Sequence, residues 1–203
     1  MFTRLSAAAA MLVLLALTAT NAIAGGEPRT HDGFFLRLSS GLGVAGTSID
    51  DAAGDIEVDS QPSGDANFAI GGAIRPNLIL HATMWGWILD EPDVTVGSVT
   101  NPLDGFIGMS AFGGGLTYYT MPANMYLSGS VGFGSLRVDG GPLEGDTDDG
   151  FVMDLTVGKE WWVGNAWGLG VAAAFSYHTI PDGDIDGNWS GTAFAVRFSA
   201  TLN

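Results

Sequence analysis

The chain of 203 residues carries 22 acidic residues against 7 lysines and arginines, so its formal net charge at pH 7 is −15. A chain this acidic repels the phosphate groups of DNA and RNA, which excludes nucleic acid as a partner. It contains no cysteine, so no disulfide can stabilise it and its fold has to rest on backbone pairing and packing.

The N-terminus has the pattern of an export signal. Arg4 precedes an apolar run over residues 7–17, and Ala22-Ile23-Ala24 is a small-x-small site for signal peptidase. The run is too short to be a membrane anchor. We therefore predict a cleaved signal peptide over residues 1–24, a short periplasmic segment over 25–32 and a single domain over 33–203.

Along that domain, apolar side chains alternate with polar or very small ones. In residues 33–45, for example, the even positions are mostly apolar, whereas the odd positions include Arg37, Ser39 and two glycines. Successive side chains of a β-strand point to opposite faces, so a period of two predicts strands with one apolar face. The alternation recurs over residues 66–74, 78–88, 106–118, 125–135, 152–162, 167–178 and 192–202. Within 106–118 the parity changes, and we expect a bulge at residues 113–115 to restore it.

The connections between these strands alternate in length. Long, acidic ones span residues 47–65, 89–105, 137–150 and 180–191, and short ones span 75–77, 120–124 and 163–166. Short periplasmic turns and long outer loops are typical of outer-membrane barrels. We predict an all-β fold, an eight-stranded antiparallel up-and-down transmembrane β-barrel with both chain ends in the periplasm. The alternative is a soluble exported β-sandwich or lipocalin-like barrel, which would carry charges on the outward faces of its strands.

Aromatic residues cluster near both ends of the predicted strands. Tyrosine and tryptophan favour the headgroup level of a membrane, because each has an apolar ring and one polar atom. The residues that we predict at the two membrane interfaces are Trp85, Trp87, Tyr118, Tyr119, Trp161, Trp162, Trp167 and Trp189.

With these strands, turns and aromatic bands, the chain resembles the small outer-membrane barrels of the OmpX and OmpW type and the membrane domain of the OmpA type. The resemblance covers residues 33–203 and is one of pattern. It implies residence in the bacterial outer membrane, contact with outer-membrane lipid and lipopolysaccharide, insertion by the outer-membrane assembly machinery, and a monomer. In that family the last strand usually ends in an aromatic residue, whereas this chain ends in Leu202-Asn203.

Five ionisable residues share the polar face of the predicted strands. A charge that faces lipid tails at mid-membrane costs about 2–4 kcal/mol, so we expect these side chains to line the lumen. We predict a charge network in which Arg37 and Arg197 surround Glu160, with a structural plug favoured over a gating or proton-sensing role. Glycines and alanines on the same face are expected to leave room for water or a slender ligand. The predicted network comprises Arg37, His81, Asp154, Glu160 and Arg197.

One acidic loop has the spacing of a calcium site. Asp182, Asp184 and Asp186 with the following Gly187 read D-x-D-x-D-G, and alternate carboxylates can bind Ca²⁺. The bidentate glutamate expected at the twelfth position is replaced by Ala193. A solvated acidic loop is therefore the competing interpretation, and no other cofactor is predicted.

The function that the sequence favours is a non-catalytic one, in which a surface barrel supports envelope integrity or displays its acidic loops. A narrow channel or carrier for small solutes, apolar ones included, is the alternative that the OmpW-like resemblance implies. A lipid-modifying enzyme is a further alternative. Ser176 and His178 lie two apart on one strand face but have no evident third group, so we predict no enzyme.

Overall fold

Apolar side chains alternate with polar or small ones along this chain. Each strand can therefore present one apolar and one mixed face over its whole length. The computed structural model describes residues 29–49, 55–140, 144–183 and 187–203. The predicted signal peptide lies outside these residues. No helix among them has the length and hydropathy to cross a membrane. The described strands are β1 (Phe34–Ile49), β2 (Ile56–Arg75), β3 (Leu78–Asp90), β4 (Asp93–Val96), β5 (Val99–Pro102), β6 (Phe106–Thr120), β7 (Met125–Asp139), β8 (Gly145–Asp146), β9 (Gly150–Trp162), β10 (Trp167–Pro181) and β11 (Asn188–Leu202).

Eight of these strands form a closed ring. Their order around it is β1, β11, β10, β9, β7, β6, β3 and β2, every pairing is antiparallel, and the pairing of β1 with β2 closes the ring. The predicted eight-stranded antiparallel barrel is therefore confirmed. Because the ring is closed, no strand has a free edge. A membrane-spanning structure needs this, since lipid tails cannot form hydrogen bonds with exposed backbone N–H and C=O groups.

The outside of the ring is apolar. Leu42 and Phe133 are 77% and 72% exposed, and many other large apolar side chains point outward with them. Soluble monomers rarely expose contiguous apolar patches above a few hundred Å². This wall therefore suits the hydrocarbon core of a membrane, and the predicted assignment of apolar side chains to the outside is confirmed.

The connections alternate in length as predicted, but the first long loop is shorter than expected. Strand β2 begins at Ile56 and pairs with β1 as far as Ile49, so much of the predicted loop 47–65 is strand. Ile56 and Val58 face inward while Glu57 and Asp59 are exposed. The same period of two continues here, but its outward residues are polar, which makes this part of the strand resemble a loop in the sequence. The second long connection contains the β4–β5 hairpin, whose first strand pairs with β2.

Strand β6 has no bulge. It keeps one register with β3 and with β7 along its length. Ile107 and Met109 simply point inward, where they are buried. The prediction of a bulge is wrong because it assumes that the inner face of the strand is polar throughout. The inner face is apolar at the end of the barrel with the long connections, which we call the outer end. Register shifts occur instead between Ala45 and Thr47 and between Ala73 and Arg75.

Candidate functional site

The middle of the barrel is crossed by one arginine and two carboxylates, which we call the Arg197 brace. Arg197 lies on β11, midway around the ring between β2 and β9, which face each other across the lumen. Its Nη2 atom donates to Asp154 Oδ2 at 2.7 Å and to Asp65 Oδ2 at 3.0 Å, and its Nε atom donates to Asp65 Oδ1. The brace, formed by Arg197, Asp65 and Asp154, thus connects opposite walls.

Every donor of the Arg197 guanidinium is used. Its Nη1 atom donates to Asp154 Oδ1 and to Thr156 Oγ1, both at 3.0 Å, which completes the five N–H groups. Asp154 also accepts hydrogen bonds from Thr156 Oγ1 at 2.9 Å and from Ser176 Oγ at 3.0 Å. A buried ion pair is stable only when its remaining groups are bonded in this way. The arrangement is therefore a rigid support.

A second polar group lies nearer the short turns. Arg37 Nη2 donates to Thr117 Oγ1 at 3.3 Å and to Ser128 Oγ at 3.1 Å, and its Cζ atom lies 4.5 Å from the centre of the Tyr126 ring. His81 Nε2 lies 3.0 Å from Thr117 Oγ1. Arg37 is therefore held by hydroxyl groups and an aromatic face.

Glu160 completes this group. It accepts hydrogen bonds from Tyr119 Oη at 3.2 Å and from Thr201 Oγ1 at 2.6 Å. All five ionisable residues of the predicted network are buried in the interior. The predicted pairing differs, however, since no ion pair joins Arg37 or Arg197 to Glu160 in the described part of the chain.

Asp65 is the brace residue that the sequence interpretation missed. The sequence predicts Asp65 within the first acidic loop, over residues 47–65, whereas it lies within β2 and its side chain is buried. Its odd position shares the parity of Asn67 and Ala69, which also face inward. Extending the alternation of strand 66–74 by one residue would have placed it correctly.

The aromatic residues divide between the two faces of the wall. Tyr118 and Trp161 point outward, where an interface residue belongs. Trp162 and Trp167 are half-buried near the short turns. The interface prediction is wrong for four residues, because the parity of a position, and not its closeness to a strand end, decides whether the side chain points outward. The four that are buried in the interior are Trp85, Trp87, Tyr119 and Trp189.

Apolar side chains fill the outer end of the barrel. Residues of the ring strands pack against Val94 of β4 and against Leu103, which follows β5. Packing of this kind excludes water, because protein interiors are as dense as organic crystals. We call this group the outer apolar cluster; its large members are Ile49, Ile56, Val58, Trp85, Trp87, Leu89, Val94, Leu103, Ile107, Met109, Leu136, Val152, Ile180 and Trp189.

The inward-facing glycines do not leave the room expected of them. A Cβ atom on Gly158 would come within 2.5 Å of the Tyr126 ring, and one on Gly115 within 2.7 Å of His81 Cε1. A Cβ atom on Gly170 would come within 2.7 Å of Glu160 Cγ. Large neighbouring side chains therefore occupy the space above these glycines.

A groove of about 820 Å³ is bounded by four adjacent strands of the wall. It is lined by residues 38–42, 64–68, 84–88 and 109–111, which belong to the adjacent strands β1, β2, β3 and β6. No lining residue comes from the opposite wall, and the rims include the outward-facing Leu42, Met84 and Ile88. Its lining also includes the inward-facing Asp65, Trp85 and Trp87, so the groove involves both faces of this part of the wall.

The candidate catalytic and calcium residues have other partners. Ser176 donates to Asp154, and His178 Nε2 lies 2.9 Å from Thr47 Oγ1. Asp182 accepts a hydrogen bond from Trp189 Nε1 at 2.8 Å. Asp184 and Asp186 lie outside the described residues, within which no group of three possible metal ligands occurs. The calcium site stays a prediction.

Solved structures of outer-membrane proteins resemble this one. The structure of Neisserial surface protein A matches with a TM-score of 0.56 and 12% identity, covering 84% of this chain and 97% of that one. The fold is that of a small outer-membrane barrel.

Two further small outer-membrane barrels match less well. Outer membrane protein AlkL has a TM-score of 0.46 and 15% identity, covering 90% of this chain and 93% of its own. OprG from Pseudomonas aeruginosa has a TM-score of 0.47 and 13% identity, covering 89% and 99%. No protein-family model matches the chain, and no curated protein sequence is significantly similar to it.

Proposed function

We propose that this chain is a closed, non-conducting barrel of the bacterial outer membrane with a structural and surface role. The apolar outer wall supports membrane residence, and the alternating connections support a periplasmic position for the short turns and chain ends. Its expected partners are outer-membrane lipid, lipopolysaccharide and the assembly machinery, and it acts as a monomer. We propose no catalytic role, since Ser176 and His178 bind different partners.

The observation that carries the proposal is the filled interior. An eight-stranded barrel is only wide enough for side chains to fill it. Here the Arg197 brace crosses the middle and the outer apolar cluster fills the outer end. An ion moving through the lumen would have to displace both. The filled interior is therefore expected to act as a mechanical support for the wall.

The parts of the barrel beyond the outer cluster suit surface display. Strand β4 of the β4–β5 hairpin pairs with β2. The exposed residues of this region include Asp55, Glu57, Asp59 and Asp93. Exposed carboxylates attract divalent cations, which also bind lipopolysaccharide phosphates. We expect this acidic rim to adhere to the lipopolysaccharide layer through such cations.

Recording from planar lipid bilayers tests the closed-barrel proposal. We expect no discrete current steps from the purified folded protein, because the brace and the outer apolar cluster block the lumen in series. A water-filled porin recorded under the same conditions is the positive control, and electrophoretic migration with and without heating shows that the barrel is folded. Reproducible single-channel steps from folded protein would refute the proposal.

A second candidate function is the binding of small apolar solutes in the outer half of the lumen. It is favoured by Trp85 and Trp87, which are buried there with Nε1 atoms that have no acceptor among the described residues. Buried indole N–H groups usually have a partner. An apolar molecule carrying one carbonyl group could supply it.

Tryptophan fluorescence tests this candidate. Titration with a medium-chain aliphatic ketone is expected to give a saturable emission change that is reduced in Trp85→Phe and Trp87→Phe. Trp161→Phe is the matched control, because Trp161 points outward and should leave the change intact. A linear, unsaturable response would show partition into detergent or lipid and would exclude the candidate.

A further inference from the structure

The groove in the wall follows a row of small side chains on the outward face of the barrel. The row runs from β1 to β7 along the pairing register, so each member stands opposite the next one on the neighbouring strand. We call this row the groove floor; it consists of Ser40, Ala66, Gly86, Ser110 and Ser135. The first four members and their neighbours along each strand line the groove, and the row continues beyond it to Ser135.

Large apolar side chains flank the groove floor on both sides. In the next row towards the short turns, Phe68, Met84 and Phe112 stand opposite one another in the register and point outward. On the other side, Leu42 and Ile88 also point outward. Neighbouring strands lie about 4.8 Å apart, so a floor that crosses five strands is about 19 Å long. Its length is therefore comparable with that of a fatty acyl chain.

The groove floor runs obliquely up the wall. On β7 it reaches Ser135, close to the outer end of that strand. Followed in the opposite direction from Ser40, the same register row passes Phe198 and Val171 and reaches Lys159, close to the short turn after β9. The floor therefore begins at the outer end on β7 and descends to the middle of the wall at β1.

Arg137 stands where the groove floor meets the outer end. It follows Ser135 by two positions on the outward face of β7, and its side chain is 61% exposed. Its ion pair with Asp146, at 3.7 Å, is exposed as well and therefore weak. Among the seven lysines and arginines of the sequence, it is the only one near the long, acidic connections. An anionic group at the outer end therefore meets one cation, which lies at the end of an apolar groove.

We propose that this groove binds lipid A, the acylated anchor of lipopolysaccharide, with one acyl chain on the groove floor and one phosphate on Arg137. A guanidinium group forms charge-assisted hydrogen bonds with phosphate oxygens. The inference rests on the proposed function, because the outer end has to lie in the leaflet that contains lipid A. It adds a direct contact to the cation bridges that are expected at the acidic rim.

Native mass spectrometry of the folded protein in detergent measures this binding. Titration with lipid A is expected to give one saturable adduct per barrel. Arg137→Gln should weaken that adduct about tenfold or more, because charge-assisted hydrogen bonds to a phosphate are lost. Lipid A without its phosphates should bind the native protein and Arg137→Gln equally weakly, since both changes remove the same contact.

A bulky side chain on the groove floor should also weaken the adduct. Ala66→Leu is expected to reduce the affinity about threefold or more, because the leucine occupies the position of the acyl chain and packing contacts are lost. Ser110→Leu makes a similar change on β6 and covers the case in which Ala66→Leu does not fold.

Two control variants should leave the adduct unchanged. Ala173→Leu matches Ala66→Leu, because Ala173 also points outward but lies on β10, opposite β3 in the ring. Arg75→Gln matches Arg137→Gln, because Arg75 is exposed at a short turn, at the other end of the barrel.

Four results would overturn the proposal. They are adducts that do not saturate, an unchanged affinity in Arg137→Gln, equal affinities of Ala66→Leu and Ala173→Leu, and equal binding of lipid A and phosphatidylglycerol, which would indicate contact with any anionic lipid. None of them bears on conduction, because the planar bilayer recordings need no lipid A. Current steps from the folded protein would refute the closed barrel and leave the binding result standing.

Discussion

Replacement of Arg197 by alanine is expected to destabilise the folded barrel by about 3–5 kcal/mol, because the change leaves two buried carboxylates without their cation. Asp65 and Asp154 face Arg197 from opposite walls, and each makes two hydrogen bonds to it. Both would have to be hydrated or protonated inside the barrel. Urea-induced unfolding in lipid vesicles, followed by tryptophan fluorescence, measures the loss.

The control is an arginine whose ion pair is exposed. Arg137 Nη1 lies 3.7 Å from Asp146 Oδ1, and the two side chains are 61% and 65% exposed. Exposed pairs contribute about 0–1 kcal/mol, so Arg137→Ala should change the stability little. Equal losses for the two alanine variants would show that the brace does not support the wall.

Leu155→Arg is expected to cost about 2–4 kcal/mol, because it places a charge against lipid tails near mid-membrane. Leu155 lies in the middle of β9 and is 45% exposed on the outer face. The measurement is the same unfolding experiment in vesicles of defined composition. The expected loss depends on the lipid environment and should be much smaller in a solvent that can hydrate the arginine.

Phe151→Arg is the matched control for depth. Phe151 lies on the same strand and face, is 44% exposed and stands next to the outer end of β9. The cost of a charge falls to about 0–1 kcal/mol near the membrane interface. Similar losses at the two positions would contradict a membrane-spanning orientation of β9.

The wall of the barrel was predictable from the sequence because its side chains obey a simple parity. Each strand contacts lipid on one face only, so Leu36 and Leu38 had to alternate with Arg37 and Ser39. The alternation of apolar and polar side chains no longer predicts the strand where the surroundings of its faces change along its length. At the end of the barrel with the long connections, Glu57 and Asp59 occupy outward positions of β2 although the sequence there resembles a loop. At the same end, Ile107 occupies an inward position, although its parity resembles that of a bulge.

The contacts of the interior were only partly predictable. Parity places Arg37, Asp154 and Arg197 inside, but it carries no information on which walls face each other. Arg197 meets Asp65 across 132 positions of sequence because β11 stands midway between β2 and β9 in the closed ring. Strand order and stagger decide this pairing, and neither can be read from alternation along single strands.

The C-terminal residue shows the same limit. Asn203 departs from the aromatic ending that the resemblance leads one to expect, and local sequence offers no reason for it. In the structure its side chain is buried and bonded to His31 from the other end of the domain. The backbone N of Asn203 also donates to Ala166 O at 2.9 Å. The segment before β1 and the residue after β11 are thereby joined beside the pairing of these two strands.

The contact between Gly158 and Tyr126 bears on how the strands find their alignment during assembly. The two residues stand directly opposite each other on β9 and β7, and the Tyr126 ring covers the bare backbone of the glycine. A shift of the strand register by two residues keeps the apolar side chains on the same face, so contact with lipid does not distinguish the shifted register from the correct one. Such a slip would drive the phenol ring against Thr156 or Glu160 instead. The Tyr126 ring and the bare Gly158 backbone therefore fix a single register of β7 against β9.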